Sequence, residues 1–537
     1  MKKIRFILLL ALVAGSLPGA VALAQTFEWV KPQVVDYRLN PQMVRYTVAT
    51  DTAGNVLQAG LLNYKASTAP GMAGEVLLRK YSRAGNLIFQ HTLTGNSVIR
   101  HLVSYPNGDF LLAGAFRDSV VLSPGHKLAG NSTAQYFIAR YSYAGQVLWL
   151  RNLSATVTGM QEITAVTVDK HGTLYAGFSG LNNLTFIKKF DDFGTELLTI
   201  QQNNVGELSG LGVDAAGNIL ATGSCIRANA SFGGQSFSNG GSVYNFYVVK
   251  YTPSGSARWI RKVQDVTCIA PELKPGPQGS MYVAGVLNGS FTFGSHTTQG
   301  KTWSYDFFLT KLDSAGTFEW VREVPQVTAA DADIGYSNYL ETDSAGNAYL
   351  AGFMRNTINW GSGIVNTGFG NTDFMVQKYN AAGTLLWSKN GGGTATDEGH
   401  SVAVNSLGEV YLAGITRGPI TLDTISRSLS TSNFYTILTK IAAPNTVSGV
   451  AAKQPVRTLN LYPNPAQTEL NLELPFSGTR PVEVSLLDVR GQLVHKMVYY
   501  PGHTGSLKLN TKAFPRGLYL VQAQQQNQLS QQRLVLE

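Results

Sequence analysis

Long apolar runs are scarce in this chain. The one near the start, Phe6 to Ala14, is too short to span a bilayer, and nothing later approaches the length required. Cysteine is nearly absent: Cys225 and Cys268 are the only two, which excludes a disulfide-dense scaffold. Charged residues make up only 14% of the chain. The formal net charge of +9 is not gathered into any run of Lys or Arg, which excludes a nucleic-acid surface. Stretches rich in Ala, Glu, Lys and Leu at helical spacing are missing, so a helical fold class is excluded too. The common catalytic signatures are also missing. There is no G-x-S-x-G elbow, HExxH, paired CxxC, P-loop or EF-hand loop.

What is present is glycine: 56 in 537 residues, within a sequence 44% hydrophobic. That composition fits a turn-rich, all-β protein. Residues 1–24 read as a secretory signal, with Lys2, Lys3 and Arg5 before the apolar core and Ala22-Leu23-Ala24 as the cleavage site. The mature chain is therefore expected to be exported, soluble and monomeric. In that compartment two cysteines can pair, and the repeat places Cys225 and Cys268 near one edge of neighbouring units. A Cys225–Cys268 disulfide is expected, against the alternative of two separate buried thiols.

The glycines fall into a repeat. "DTAGNVLQAG" (51–60), "DAAGNILATG" (214–223), "DSAGNAYLAG" (343–352) and "NSLGEVYLAG" (405–414) are the clearest copies. With the others, the turn glycines are Gly54, Gly108, Gly172, Gly217, Gly279, Gly346 and Gly408. Asp or Asn opens each turn and Gly closes it, the chemistry of a type I turn with a G1 bulge between two strands. A second hairpin alternates with the first, as in "FYVVKYTPSGSARW" (246–259) and "FMVQKYNAAGTLLW" (374–387). Each unit thus holds four short strands, a to d, which is the period of a propeller blade. In blades three, four and seven, strand a alternates large residues with small ones, as in Val166 and Val168 beside Ala165 and Thr167. That suits a crowded axis. Blades two, five and six depart from this pattern.

The last copy of the second motif, "FYTILTKI" (434–441), stops before its d strand. "TFEWV" (26–30) stands at the other end with no repeat before it. The N-terminal strand is expected to complete the last blade and close a ring of seven, removing the open edges. These units resemble the β-propeller repeat of bacterial exported proteins over residues 25–441. That resemblance implies a fold and an extracellular location, not an activity.

Residues 442–456 read as a linker. Beyond them, residues 457–537 alternate in short strands that fit a small β-sandwich. Tyr462-Pro463-Asn464-Pro465, the "LLDVRGQLV" hairpin with Gly491, and "FPRGLYLV" with Gly517 and Tyr519 resemble the type A C-terminal sorting domain of the type IX secretion system of Bacteroidetes-type bacteria. The resemblance implies docking to that secretion machinery and passage across the outer membrane. It also implies removal of the domain, with release or attachment to surface lipopolysaccharide. The alternative is an ordinary adhesive β-domain.

Candidate ligand residues fall in two places. Ten residues before the turn Gly stand Glu162, Glu207 and Glu398, with Asp265 and Asp333 in comparable positions. Blades one and two instead have Arg45 and Arg100 nearby. The acids form an arc at one channel mouth, fitted to a cation or a basic group, or else a set of ion pairs. His400, beside Asp397 and Glu398, reads either as part of a metal or acid–base site or, more plainly, as part of a solvated connection between blades. The long b–c loops hold Trp303 and Trp360, suited to stacking on sugars or to packing against their own loops. The recurrent Trp29, Trp149, Trp259, Trp320 and Trp387 are expected between blades as core. No catalytic residue, metal site or cofactor is assigned. The leading expectation is a secreted or surface binding protein with a glycan or protein partner. A polysaccharide-acting hydrolase or lyase and a structural surface protein are the alternatives.

Overall fold

Asp51 shows how five of the seven a–b hairpins close. Its carboxylate accepts the backbone N–H groups of Ala53 (3.0 Å) and Asn55 (2.8 Å), and Gly54 N–H returns to Asp51 O (3.0 Å). Gly54 takes φ +80°, a conformation that glycine adopts without strain. Asp169, Asp214, Asp343 and Asn405 cap their turns in the same way.

The computed structural model describes residues 25–35, 45–64, 74–154, 160–225, 229–237, 245–264, 270–301, 306–325, 331–443, 459–474, 482–488, 492–499, 506–525 and 528–537. The signal segment 1–24 and most of the 442–456 linker lie outside them. The chain divides into two compact units, Met1–Asn445 and Thr446–Glu537.

In the first unit, antiparallel pairing sorts the described strands into seven four-stranded meanders. Blades one and two share one long strand, Leu87–Ser104, which is strand d of the first and strand a of the second. The N-terminal strand Phe27–Val35 pairs antiparallel with Phe434–Ile441, so the last blade is built from both ends of the unit. The innermost strands of neighbouring blades pack on each other right round the ring, Thr47–Thr50 of blade one against Asp397–Val404 of blade seven included. The central b and c strands, such as Val410–Arg417, are buried on both faces, which is why they read as continuous apolar runs.

Two features of the second motif join the blades. The Lys or Arg ending strand c turns back to the acid at its own a–b turn: Lys80 to Asp51 (2.8 Å), Arg140 to Asp109 (3.1 Å), Lys250 to Asp214 (2.9 Å) and Lys440 to Glu409 (2.7 Å). Lys80 and Lys250 also donate to a carbonyl of the next blade, Tyr143 O and Gly279 O. Each buried ammonium is therefore held by a carboxylate and a carbonyl together, which a buried charge requires.

The strand-d tryptophans clasp the next blade. Trp29 Nε1 donates to Arg83 O (3.2 Å), Trp149 to Asp192 O (2.8 Å), Trp259 to Ser314 O (3.2 Å) and Trp320 to Ala381 O (3.1 Å). Arg261 and Arg322, two residues on, stack over their own Trp rings and donate from Nε to Gly316 O and Gly383 O of the same turns. Trp387 instead reaches Gln25 Oε1 (2.7 Å), just ahead of the N-terminal strand. All five pack between blades in or against the apolar core, as expected. Only Trp320 is fully buried; the other four are half-buried, because strand d is the outermost strand and the indole must stay at the rim to reach the turn.

Strand a of blade six is interrupted. Asp331–Ile334 and Leu340–Thr342 both pair with Ala348–Arg355, and Gly335 to Tyr339 bulge out between them. The bulge crosses the central channel. Tyr336 and Ser337 N–H donate to His400 O of blade seven, and Ser337 Oγ donates to Arg100 O of blade two. Asn338 Nδ2 donates to Thr47 Oγ1 of blade one and Leu102 O of blade two. Tyr339 Oη donates to Ala270 O and Ala284 O of blade five. A plug thus closes the channel and ties the ring across its axis.

The second unit is a sandwich of a three-stranded sheet (Asn460–Tyr462, Glu469–Glu473, Ser506–Asn510) and a four-stranded sheet (Leu493–Tyr499, Val482–Leu487, Gly517–Gln525, Gln528–Leu536). Leu470, Leu472, Val484, Leu486, Val521 and Leu534 fill the space between them. The "VRG" turn with Gly491 lies outside the described residues. Replacing Trp320 by Ala is expected to lower propeller stability by about 3 to 5 kcal/mol in urea unfolding of the full chain. A loss under about 1 kcal/mol, the worth of one hydrogen bond, would remove the clasp as a determinant of stability.

Candidate functional sites at the channel mouths

The expected acidic arc divides into two unlike groups. On the side of blades one to five, Arg45, Arg100, Glu162, Glu207, Glu272 and Lys274 share the channel wall. Glu162 pairs with Arg100 (3.4 Å), and Lys274 with Glu341 (3.2 Å). Glu272 Oε2 accepts Leu340 N–H at the end of the plug. Burial pushes the Glu272 carboxyl up to about 7 despite Lys274 beside it, and it raises Glu207 as well. Burial, with Arg100 close by, brings Arg45 down to about 10. Burial, with Arg45 and Arg100 close by, brings His101 down to about 3. This wall is a network of both signs rather than an acidic patch. Its cavity, lined by His101, Glu272, Lys274 and Asn338 among others, holds about 30 Å³, the room of a single water.

The second group lies between blades six and seven. Glu398 Oε2 stands 3.5 Å from His400 Nε2, and among the described residues neither ring nitrogen of His400 has a hydrogen-bond partner. The His400 ring lies against Tyr46 (5.7 Å between centroids) and edge-on to Tyr336 of the plug (4.8 Å). A solvated connection is thus not what the structure shows, since His400 is wholly buried. Burial pushes nearby Asp333 up to about 7, with Glu398 and Asp306 adding to the rise. Glu162 and Glu207 are not brought to His400. Asp265, Trp303 and Cys268 lie outside the described residues; Cys225 is buried at the end of its strand.

Trp360 belongs to a small hairpin, Ile358–Gly361 with Ile364–Asn366, inserted between strands b and c. Its indole N–H is taken by Asn366 Oδ1 (2.7 Å) and its ring lies 6.2 Å from that of Phe307 in blade five, so it is half-buried between its own hairpin and the neighbouring blade. The sequence reading missed the plug. The only local signal was the polar "GYSN" inside a strand pattern.

The opposite mouth, on the a–b turn side, holds a larger basin of about 330 Å³. Thr50, Thr52, Ser104, Lys170, Asn405 and Ser406 line it, drawn from blades one, two, three and seven. The Ser104 hydroxyl is buried without a partner among the described residues.

In the C-terminal unit the singled-out residues hold the last strand. Asn464 Nδ2 donates to Arg533 O (2.7 Å), and its Oδ1 accepts Val535 N–H (2.9 Å). Ala466, after Pro465, continues the pairing through Val535 O and Glu537 N. The Tyr462–Pro463 and Asn464–Pro465 bonds are cis. Tyr462 Oη donates to Glu473, and Tyr519 Oη to Pro515 O just ahead of Gly517.

Residues 460–537 match the secretion system C-terminal sorting domain. The sorting domain is of the type IX kind and marks the chain for export to the cell surface or beyond, through interaction with the type IX machinery. Among the described residues no helix is long and apolar enough to cross a membrane. No curated protein matches the chain. Among solved structures the chain is similar to the Neurospora crassa Pan2 WD40 domain at 12% identity, covering 65% of this chain and 90% of that one with a TM-score of 0.31. It is also similar to the GH43 protein BlXynB from Bacillus licheniformis at 10% identity, covering 78% and 97% with a TM-score of 0.26. The fold is an all-β, propeller-type one followed by a β-rich sorting domain.

Glu272 keeps its proton to higher pH in the folded chain than in the unfolded one. Its contribution is therefore full below about 4.5 and is lost as pH rises toward about 7. Glu272→Gln should gain stability relative to the parent between pH 4 and pH 8 in urea titrations, by a few kcal/mol. The opposite slope would mean that Lys274 holds it as a carboxylate. In the sorting domain, Asn464→Ala should speed hydrogen exchange at Val535 by roughly 5- to 100-fold, the worth of two hydrogen bonds.

Proposed function

We propose that the mature protein is an exported binding protein whose propeller takes a hydroxyl-rich, glycan-like ligand at the turn-side mouth of the channel. The observation carrying this reading is the basin of about 330 Å³, a volume in the range of small-molecule sites. Thr52 and Ser406 offer hydroxyls and Lys170 an ammonium, groups that exchange hydrogen bonds with sugar hydroxyls, while Thr50, Ser104 and Asn405 shape the wall: Thr50 Oγ1 donates to Val404 O, and Asn405 spends its amide on its own turn and on Glu409. The basin draws on four blades, so ligand contacts would depend on a closed ring.

Catalysis has less support. Paired carboxylates flanking an open cleft would mark a glycoside hydrolase. Here Glu162 and Glu341 are engaged in ion pairs, Glu272 accepts a plug amide, and Glu398 is buried against His400. The b–c face, expected to carry Trp303 and Trp360 as stacking platforms, has its Trp360 ring packed on Phe307.

The full mature chain on a broad glycan array tests this. Thr52→Trp and Ser406→Trp fill the basin and should weaken glycan binding at least tenfold. Trp360→Ala should lower stability and leave binding unchanged. Binding indifferent to the basin variants but lost in Trp360→Ala would move the ligand to the b–c face and overturn the assignment.

A further inference from the structure

Three segments meet at the rim between blades six and seven: the end of the blade-six b–c connection (368–373), the turn into blade seven (391–397), and the start of the blade-seven b–c connection (418–421). Gly392 exchanges both backbone hydrogen bonds with Thr421 (2.9 and 3.1 Å), and Asp397 N–H donates to Thr372 O (3.0 Å). Two carboxylates point into this junction, Asp373 and Asp397, and both are wholly buried.

Asp373 Oδ2 accepts Phe369 N–H (2.8 Å) and Gly370 N–H (3.5 Å), whereas its Oδ1 has no partner among the described residues. Asp397 Oδ1 accepts the Thr416 hydroxyl, and its Oδ2 accepts Gly393 N–H (2.6 Å). Asp373 Oδ1 lies 2.3 Å and Asp397 Oδ2 2.8 Å from the point where a Cβ on Gly392 would stand. The two oxygens are thus no more than about 5 Å apart. Pro419 O stands 2.0 Å, and Asp397 Oδ2 3.9 Å, from the corresponding point on Gly393, which adds a backbone carbonyl to the same junction. Among the described residues, neither carboxylate forms an ion pair with Lys, Arg or His. Two buried like charges this close, with an oxygen left over, call for a cation or a shared proton.

We propose that Asp373 and Asp397 form a calcium site that stitches these three connections together. The donors on offer are all oxygens, which select a hard cation. The site uses two carboxylates and the Pro419 carbonyl. It therefore differs from sites built of three or more His, Cys, Asp or Glu side chains, which do not occur among the described residues. Two carboxylates place the expected Kd on the order of 10⁻⁴ to 10⁻³ M, the range of extracellular calcium modules.

The test uses the full mature chain, stripped with EDTA and titrated with calcium chloride by calorimetry and thermal unfolding. Binding in that range with a rise in Tm is expected, and the Tm rise should disappear in Asp373→Asn. Hydrogen exchange on the wild type localises the site independently of whether the variant folds: calcium should slow exchange at Phe369, Gly370 and Gly393. Absence of binding up to 10 mM (roughly ten times the weakest expected Kd), or binding that leaves those three amides and Asp373→Asn unaffected, would overturn the proposal. The same holds if Asp373→Asn simply stabilises the chain in EDTA with no calcium response, the signature of a shared proton.

Discussion

The fold depends on the reach of one strand-d side chain into the next blade. A single blade has two apolar faces and covers neither by itself, so its stability is an interface property. At four junctions an indole N–H closes on a turn carbonyl of the neighbour, as Trp320 does on Ala381 O. Phe89 and Leu198 stand in the equivalent places in blades one and three, against Gly145 and Gly255 of the following turns. The turn must bring its glycine against the ring: a Cβ on Gly383 would lie 2.6 Å from Trp320. The Gly turn of one repeat and the Trp of the preceding one are therefore two halves of a single contact.

The buried Lys–Asp pairs extend that contact inward. Lys250 meets Asp214 of its own blade and Gly279 O of the next, so one ammonium joins a hairpin turn, a strand and a neighbour. Removing either partner would leave a buried charge exposed to a low-dielectric interior, a far larger cost than the net worth of the pair. This explains why the two sequence motifs travel together: the acid of the first and the base of the second neutralise each other.

Across the axis, the plug does what no repeat element does. Gly335 to Tyr339 bond to blades one, two, five and seven, so the ring is braced through its centre as well as around its circumference. Its presence changes the chemistry of the channel. A through-passage lined by acids becomes a pair of separate mouths, one a neutralised ion network and the other an open polar basin. The sorting domain is a unit of its own, with a core of its own, and its Asn464 spends both ends of its amide on the terminal strand.

Local chemistry determined much of this by itself. Asp-x-x-Gly turns, alternating strands and the Tyr462-to-Pro465 motif are short-range patterns that carry their meaning within a dozen residues, and the strand missing from "FYTILTKI" and present in "TFEWV" is legible because the repeat fixes what each unit must contain. The sites were less legible. The spacing that set Glu162, Glu207 and Glu398 at one level of the ring says nothing of which cations face them, because Arg45, Arg100 and Lys274 come from other blades. His400 reads as a polar residue in a polar stretch, yet the plug from blade six covers it. Trp360 reads as an exposed aromatic, yet Asn366 and Phe307 draw it in. Asp373 and Asp397, 24 residues apart, meet only because three connections converge at one rim. A repeat writes its own unit in the sequence. What happens between units is fixed by the closure of the ring, which brings together side chains that no local pattern links.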